Sequence, residues 1–303
     1  MMTLRTAAFS VENVSVCQRA MDVLALGKPR VVMMVLAVTC VGFYMGSIET
    51  PDVMRLMHLM LGVGLAAGGT LALNQYIERH EDALMQRTQM RPLPDGRLQP
   101  AVALSAGTLS VMLGLSYLWL TVNSLAFLTT AATVGSYLFG YTPLKRKTAL
   151  CSIVGAIPGA LPPLTGWVAA RGTLNPEAWV LFAILFLWQL PHSLGIAWLY
   201  REDYARARFQ LLPVVHPDGR STSRQIVTNC LALLAVGLLP TLMGMAGPVY
   251  FIVTCVLSLG FLGCGLEVAY SRTQEAARRL VWVSLVHLPL MFLVMALDKI
   301  PVR

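Results

Sequence analysis

Charged residues are scarce in this chain of 303 residues, of which Asp, Glu, Lys and Arg make up 13%. A typical soluble domain carries about 25%, so the scarcity argues against a soluble fold. The charge that is present lies in short stretches between long apolar tracts. About 20 apolar residues in a helix cross the hydrocarbon core, where every backbone polar group needs a partner within its own segment. The sequence therefore predicts an all-α, polytopic membrane protein.

Nine apolar tracts are long enough to be considered as transmembrane helices, although the first and fourth are short. They are residues 31–46, 54–76, 101–120, 125–141, 149–169, 178–198, 226–245, 249–269 and 280–297. Glycine and proline recur inside them, as in 155–163, a pattern typical of close packing and kinks around a cavity. We expect nine helices around a central cavity, with 1–28 an N-terminal segment, 29–298 a single membrane domain and 299–303 a short external tail.

Cysteine is also sparse, and its six residues form no CxxC pair. This spacing disfavours a disulfide framework or a zinc site, so we interpret the cysteines as small buried hydrophobes. No A-x-A cleavage site follows the short apolar patch at 23–26, which excludes a standard secretory signal peptide. Glu12 and Asp22 do not suit an acid-poor mitochondrial presequence. We therefore expect the bacterial cell (inner) membrane rather than the mitochondrial inner membrane.

Acidic residues are outnumbered, 15 against 23 Lys and Arg, giving a formal net charge of +8. With nine spans and the N-terminus in the cytoplasm, 19 of those 23 cations fall on the cytoplasmic side and only Arg55, Arg171, Lys299 and Arg303 outside. Cytoplasmic loops are enriched in Lys and Arg. The basic excess thus predicts a cytoplasmic N-terminus, and it argues against a nucleic-acid partner. The two long polar loops, 77–100 and 199–225, lie on that same side and are the expected location of any chemistry.

The first polar constellation continues the second apolar tract. Asn74, Glu78 and Asp82 recur every four residues and would line one face of a helix leaving the membrane. An amide and two carboxylates form an all-oxygen site suited to Mg²⁺, which completes its shell with water and phosphate oxygens. Arg87 and Arg91 are also four apart, before Pro92 ends the helix, and arginine matches phosphate geometry. The alternative, interfacial charges capping a helix, fits Asn74 and Glu78 poorly because intramembrane polar groups normally face a cavity.

Two further constellations leave alternatives open. The run Lys145-Arg146-Lys147 is either a membrane anchor or a cationic clamp for a phosphate leaving group. Glu202 and Asp203, beside Arg201, are either a second acidic site or a solvated salt-bridge cluster. His192 is either a hydrogen-bonded core residue or a ligand.

At these residues the chain resembles a known family. Asn74-x-x-x-Glu78-x-x-x-Asp82 followed by Arg87-Thr-x-x-Arg91-Pro is similar to the first aspartate-rich motif of the intramembrane aromatic prenyltransferases. Four later segments resemble the branch of that superfamily that farnesylates protohaem IX to make haem O. They are Tyr-Thr-Pro-Leu-Lys-Arg-Lys-Thr (141–148), Gly-Ala-Leu-Pro-Pro-Leu-Thr-Gly-Trp (159–167), Trp-Gln-Leu-Pro-His (188–192) and the region from Asp203 to Leu-Pro-Val-Val (212–215).

The resemblance implies farnesyl diphosphate and haem b as substrates, Mg²⁺ as cofactor, a lipid bilayer as surroundings, and haem A synthase or terminal oxidase assembly downstream. It implies metal ligation, diphosphate binding and haem contact by specific residues. The implied metal ligands are Asn74, Glu78, Asp82, Glu202 and Asp203; the implied diphosphate-binding residues are Arg87, Arg91, Lys145, Arg146 and Arg201; the implied haem contact is His192.

The chain departs from the family pattern at Glu78, where Asp is usual, at Ser193-Leu194, where Phe-Trp is usual, and at the adjacent Glu202-Asp203. Two alternatives to haem farnesylation follow from the same residues. One is prenyl transfer to a quinone-precursor or chlorophyll-type acceptor. The other is a membrane transporter, which charges deep in several spans and an inverted repeat would favour; the tracts contain almost no charge beyond Arg55 and Glu267.

Overall fold

The computed structural model describes residues 16–300 of the chain. Within this range it is helical, with a single isolated bridge between Ala246 and Lys299. The first 15 residues of the predicted N-terminal segment and the last three of the predicted tail lie outside the described residues. Of the five cysteines whose side chains are described, Cys151 and Cys230 are buried as predicted, whereas Cys40, Cys255 and Cys264 are only partly buried.

The helices follow one another with short connections at one end of the molecule and longer ones at the other. They are α1 (Val16–Leu26), α2 (Pro29–Gly46), α3 (Val53–Ile77), α4 (Arg79–Asp82), α5 (Pro100–Thr121), α6 (Ser124–Gly135), a π-helix (Ser136–Tyr141), α7 (Thr142–Leu144), α8 (Cys151–Arg171), α9 (Pro176–Leu199), α10 (Arg201–Arg206), α11 (Leu212–Val215), α12 (Arg220–Gly237), α13 (Leu239–Leu242), α14 (Pro248–Ser271) and α15 (Gln274–Leu297).

Eight helical segments in the described range are long and apolar enough to cross a membrane: α2, α3, α5, α8, α9, α12 with α13, α14 and α15. The fourth predicted tract is also helical, but its α-helix ends at Gly135 and continues as the π-helix. This tract is therefore not a single long α-helix. The prediction of nine spans stays a prediction at this segment.

Local sequence signals account for the helix ends. Pro29, Pro100, Pro176 and Pro248 stand at the first turn of α2, α5, α9 and α14, where a missing backbone N–H costs nothing. The side chain of Asn123 caps α6 by accepting the N–H of Ala126 at 2.7 Å. Asn123, Pro176 and Pro248 lie in the short connections opposite the long loops, whereas Pro29 and Pro100 begin helices on the side of the long loops.

Small residues bring α2 and α8 into backbone contact. A Cβ built on Gly42 would lie 2.0 Å from the carbonyl oxygen of Pro163, and one on Gly166 would lie 2.0 Å from that of Thr39. Because α8 also contains Pro158 and Pro162, its backbone is irregular where α2 crosses it. This crossing forms one wall of the interior described below.

The long loops meet at one end of the bundle. The backbone N–H of Gln86 donates to Asp203 Oδ1 at 3.2 Å, which ties the loop after α4 to α10. The N–H of Gln210 donates to the carbonyl of Lys145 at 2.6 Å, which ties the loop after α10 to the loop before α8. The three polar loops therefore form one continuous surface.

Candidate active site

Asn74, Glu78 and Asp82 are brought together as the spacing predicts, and all three are buried. The helix is nonetheless not continuous: α3 ends at Ile77, and Glu78 links it to α4. The i→i−4 hydrogen bonds persist across this break, from Glu78 N to Asn74 O at 2.9 Å and from Asp82 N to Glu78 O at 2.8 Å. All three side chains line one polar pocket of about 110 Å³.

A hydrogen-bond chain orients the Asn74 amide. Asn74 Nδ2 donates to Thr142 Oγ1 at 3.2 Å, and that hydroxyl donates to the carbonyl of Tyr137 at 2.9 Å. The second bond spans five residues, because the chain is in the π-helix there. Single π-turns are frequent at functional sites. Since its NH₂ group is held by Thr142, Asn74 keeps Oδ1 available for a ligand in the pocket.

The two carboxylates each face a cation. Lys145 Nζ lies 2.7 Å from Glu78 Oε1, and Arg91 Nη1 donates to Asp82 Oδ2 at 2.7 Å. Burial by itself lowers the pKa of Lys145, but the contacts with Tyr141 and the Glu78 carboxylate outweigh burial, so this pKa lies above its ordinary value. The ion pair with Glu78 therefore favours the protonated form of Lys145.

The donors of the pocket fit Mg²⁺ in chemistry. They are an amide oxygen and two carboxylates, all lining the same pocket. Among residues 16–300, no three His, Cys, Asp or Glu side chains are grouped closely enough to hold a metal by themselves. Mg²⁺ is commonly held by one or two carboxylates together with phosphate oxygens of a substrate.

The polar pocket adjoins an apolar chamber of about 390 Å³ between α2, α3, α6, α8 and α9. Tyr137, Tyr141, Tyr204 and Leu211 line both spaces. The chamber extends along α3 as far as Val63, eleven residues before Asn74, a depth of about 16 Å at the rise of an α-helix. The site therefore combines a cationic, oxygen-rich mouth with a long apolar interior.

The arginines of the first motif do not continue a helix, which corrects the prediction that Pro92 ends one. Because α4 ends at Asp82, Arg87 and Arg91 stand on turns, yet both line the polar pocket. Arg87 lies between two rings, 4.9 Å from the centroid of Tyr200 and 4.4 Å from that of Tyr204.

Four other predicted residues lie outside the polar pocket. Arg146 pairs with Glu81 instead of facing the pocket. Arg201, Glu202 and Asp203 line a separate depression of about 460 Å³ on the loop surface, which Arg87 also reaches. There Asp203 pairs with Arg206. The two acidic motifs therefore do not share one pocket, and the assignment of Glu202 and Asp203 as metal ligands stays a prediction.

His192 faces α15 rather than the chamber. Its Nδ1 lies 2.6 Å from Ser284 Oγ, and its ring stacks on Trp188 with centroids 5.0 Å apart. Gln189 and Ser193, on the same helix, line the chamber instead. The proposed contact between His192 and haem stays a prediction.

Lys28 also lines the polar pocket, a position that its sequence context does not predict. It precedes Pro29 and has a left-handed backbone (φ 47°), a conformation uncommon outside glycine. Burial, then the charges of Arg91 and Lys145, lowers the pKa of Lys28 to about 8, against the opposing effect of Asp82 and Glu78. The sequence signal for this role is that Lys28 lies at the start of the first span. A basic residue at that position is also expected from the positive-inside rule alone.

We expect the pH dependence of anion affinity to report the pKa of Lys28. A pKa lowered to about 8 means that Lys28 should lose its charge as the pH rises through that value, so affinity for an inorganic diphosphate probe should fall more steeply there than in a variant with a permanent cation. Lys28→Arg should remove this step, because arginine stays protonated. Calorimetric titration between pH 6.5 and 9.5 measures it; the same pH step in both proteins would contradict the assignment.

The sequence matches known proteins over nearly its whole length. The UbiA prenyltransferase family matches residues 35–294. A protoheme IX farnesyltransferase of Solibacter usitatus is 48% identical over 287 residues, covering 92% of this chain and 98% of that protein. Proteins of the same name from Koribacter versatilis and Salinibacter ruber are 40% and 42% identical, covering 97% and 88% of this chain and 98% and 95% of theirs.

Solved structures share the fold. A digeranylgeranylglyceryl phosphate synthase structure matches with a TM-score of 0.79 at 14% identity, covering 93% of this chain and 98% of that one. A UbiA homologue from Archaeoglobus fulgidus, bound to GPP and Mg²⁺, matches with a TM-score of 0.66 at 16% identity, covering 91% and 99%. At these identities the likeness establishes the architecture, an all-helical membrane fold.

Proposed function

This chain belongs to the UbiA prenyltransferase family, and on that premise we propose that it transfers the farnesyl group of farnesyl diphosphate to a vinyl group of haem b (protohaem IX), forming haem O and releasing diphosphate. The observation that carries the proposal is the joining of a cationic, oxygen-rich pocket to a long apolar chamber. The farnesyl acceptor is the one acted on by the relatives named above.

In the polar pocket the protein's own residues bind the diphosphate. Lys28, Arg87, Arg91 and Lys145 supply four cationic groups against the charge that develops on the leaving group. Asn74, Glu78 and Asp82 would hold Mg²⁺, which when bound supplies further positive charge to the phosphate oxygens. Their ion pairs with Lys145 and Arg91 keep these carboxylates oriented in the pocket.

The boundary between pocket and chamber is where the bond to diphosphate breaks. The C1–O bond of the farnesyl chain cleaves, diphosphate leaves with the electron pair, and the terminal vinyl carbon forms a new bond to C1. Tyr137 and Tyr141 line this boundary with their rings 5.4 Å apart, and aromatic faces attract a cation. The apolar chamber keeps water from the farnesyl cation before this step. Water then adds to the other vinyl carbon and loses its proton to solvent.

The same charge asymmetry that predicts topology supports a cytoplasmic active site in the bacterial inner membrane. Haem b and farnesyl diphosphate would then enter from that side or from the bilayer. A protein that consumes haem O, such as haem A synthase or the assembly of a terminal oxidase, is the expected recipient of the product. These statements belong to the proposal.

The direct test uses the purified protein in detergent or nanodiscs with Mg²⁺, haem b and farnesyl diphosphate. Mass spectrometry should find a haem heavier by one farnesyl group and one hydroxyl group, with one diphosphate released per product. Competing incubations with an aromatic quinone precursor distinguish the acceptors. Prenylation of that precursor with unchanged haem b would overturn the proposed acceptor and retain the family activity.

We expect the depth of the chamber to set the preferred prenyl length. Val63 lines its far end, so Val63→Phe should shorten it and lower the ratio of kcat/KM for farnesyl over geranyl diphosphate by roughly 10-fold or more, since even one methylene in an apolar pocket is worth about 10-fold. Leu61→Phe is the matched control, since Leu61 is on the same helix but 51% exposed. An unchanged ratio in the Val63 variant would place the end of the farnesyl chain elsewhere.

A further inference from the structure

The following inference rests on the proposed function and concerns how the acceptor is held. Haem b is amphipathic: its two propionate carboxylates lie on one edge of the macrocycle, and its vinyl groups lie on the opposite side. An amphipathic molecule at a membrane surface keeps its charged edge toward water and its apolar edge inward. A site that prenylates the vinyl edge therefore needs a basic subsite at the water-facing end of the reaction pocket.

The depression on the loop surface has that position. It is lined by Arg87, Tyr200, Arg201 and Arg206, together with the acidic Glu202 and Asp203. Of the two carboxylates, Asp203 is buried and already neutralised by Arg206 and by the N–H of Gln86. Glu202 is exposed. The three arginines exceed the two acidic groups, so the depression has an excess of positive charge.

Two of these arginines have no carboxylate partner within residues 16–300, namely Arg87 and Arg201. Each is instead held against aromatic rings: Arg87 between Tyr200 and Tyr204, and Arg201 at 5.1 Å from the ring centroid of Trp198. Trp198 is itself only 6% exposed. Stacking of this kind orients a guanidinium group while leaving its N–H donors free, which favours bidentate binding of a carboxylate.

The depression is continuous with the reaction pocket through Arg87, which lines both. Tyr204, which contacts Arg87, also lines the apolar chamber. An acceptor with its carboxylates in the depression would thus direct its opposite edge toward the boundary where the prenyl C1 lies. Arg201 stands on the outer side of this arrangement and lines neither the polar pocket nor the chamber.

We propose that this depression is the acceptor subsite for carboxylate groups, and that Arg201 binds a propionate of haem b. The assignment differs from the sequence-based expectation that Arg201 binds the diphosphate. It also gives the acceptor one defined orientation, because only one edge of haem b carries carboxylates.

The experiment compares haem b with its propionate dimethyl ester, which keeps the vinyl groups and lacks the charge. Kinetics and Soret titrations are measured for the wild-type protein and Arg201→Gln with both porphyrins. We expect the variant to lose roughly 10-fold or more in affinity and in kcat/KM for haem b, the effect of losing a hydrogen bond to a charged group, and to show little loss for the ester. The KM for farnesyl diphosphate should not change.

Arg224→Gln is the matched control, because Arg224 is an exposed arginine of the same loop-facing surface outside the depression. Equal losses on both porphyrins, or a raised KM for farnesyl diphosphate in Arg201→Gln, would overturn the subsite. Thermal unfolding and Arg201→Lys separate misfolding from loss of contact, since the lysine variant should retain part of the preference for haem b over the ester. Absence of any prenylated porphyrin with the wild-type protein would overturn the proposed function itself, whereas prenylation without the ester effect would overturn only the subsite.

Discussion

Asp82→Asn is expected to reduce prenyl transfer by about 10²–10³-fold, the range found when one electrostatic contact to a developing charge is removed. Asp82 is 1% exposed, lines the polar pocket and accepts from Arg91 at 2.7 Å. The amide keeps the size of the carboxylate but not its charge, so it releases Arg91 from its ion pair and, under the proposed function, should weaken Mg²⁺ binding. A titration with Mg²⁺ should therefore require higher concentrations, and the lower rate should persist at saturating farnesyl diphosphate.

Glu81→Gln provides the control for this result. Glu81 is the neighbouring residue of α4 and is also buried, but it pairs with Arg146 and does not line the pocket. Its substitution should change the rate by less than about threefold, because a partly exposed ion pair contributes little. Comparable losses in the two variants would show that α4 tolerates no change of charge, and would contradict a specific role of Asp82.

The core of the candidate site could be predicted from sequence because it depends on local spacing. Asn74, Glu78 and Asp82 keep their register since backbone hydrogen bonds cross the break at Glu78. Periodicity along one helix is set by its geometry. The helical membrane fold was predictable for a similar reason, because the bilayer requires long apolar segments wherever they occur.

The remaining site residues depend on packing between distant segments, which spacing does not encode. Lys28 lines the pocket because the start of α2 lies beside the pocket. Thr142 contacts Asn74, 68 residues away in sequence, because the π-helix shifts the register of the chain. The same limitation explains Arg146 and His192. Each lies in a motif that resembles the family, but its neighbours Glu81 and Ser284 come from other helices.

The π-helix also explains why the fourth predicted span differs from the others. The apolar composition of 125–141 is sufficient for a membrane helix, but hydropathy carries no information about hydrogen-bond register. The irregular turn places Tyr137 and Tyr141 on the boundary between pocket and chamber. The segment 125–141 is therefore irregular as a membrane span, but its irregularity positions two aromatic rings at the proposed reaction site. Departures from regular structure are expected at functional sites.

Gly42→Ala is expected to have the largest effect on stability. The new Cβ would lie 2.0 Å from the carbonyl oxygen of Pro163, a backbone atom that cannot rotate away, so α2 must move from α8. We expect a loss of about 3 kcal/mol or more, the upper range for overpacking, and at roughly 2–4 °C per kcal/mol a melting temperature lower by about 6–12 °C. Thermal unfolding in one detergent measures it.

Gly68→Ala is the matched substitution, since Gly68 is also inside a long helix but its added Cβ would meet nothing within 4 Å. Alanine favours a helix by about 1 kcal/mol over glycine, so this variant should melt at the same temperature or slightly higher. The comparison separates the close approach of two backbones from the general effect of glycine. Because Val35 of α2 and Pro162 of α8 both line the chamber, the Gly42 variant should also raise the KM for farnesyl diphosphate in the protein that remains folded. Unfolding at the wild-type temperature would mean that α2 and α8 do not cross at Gly42, and that the chamber wall formed by this crossing is wrongly placed.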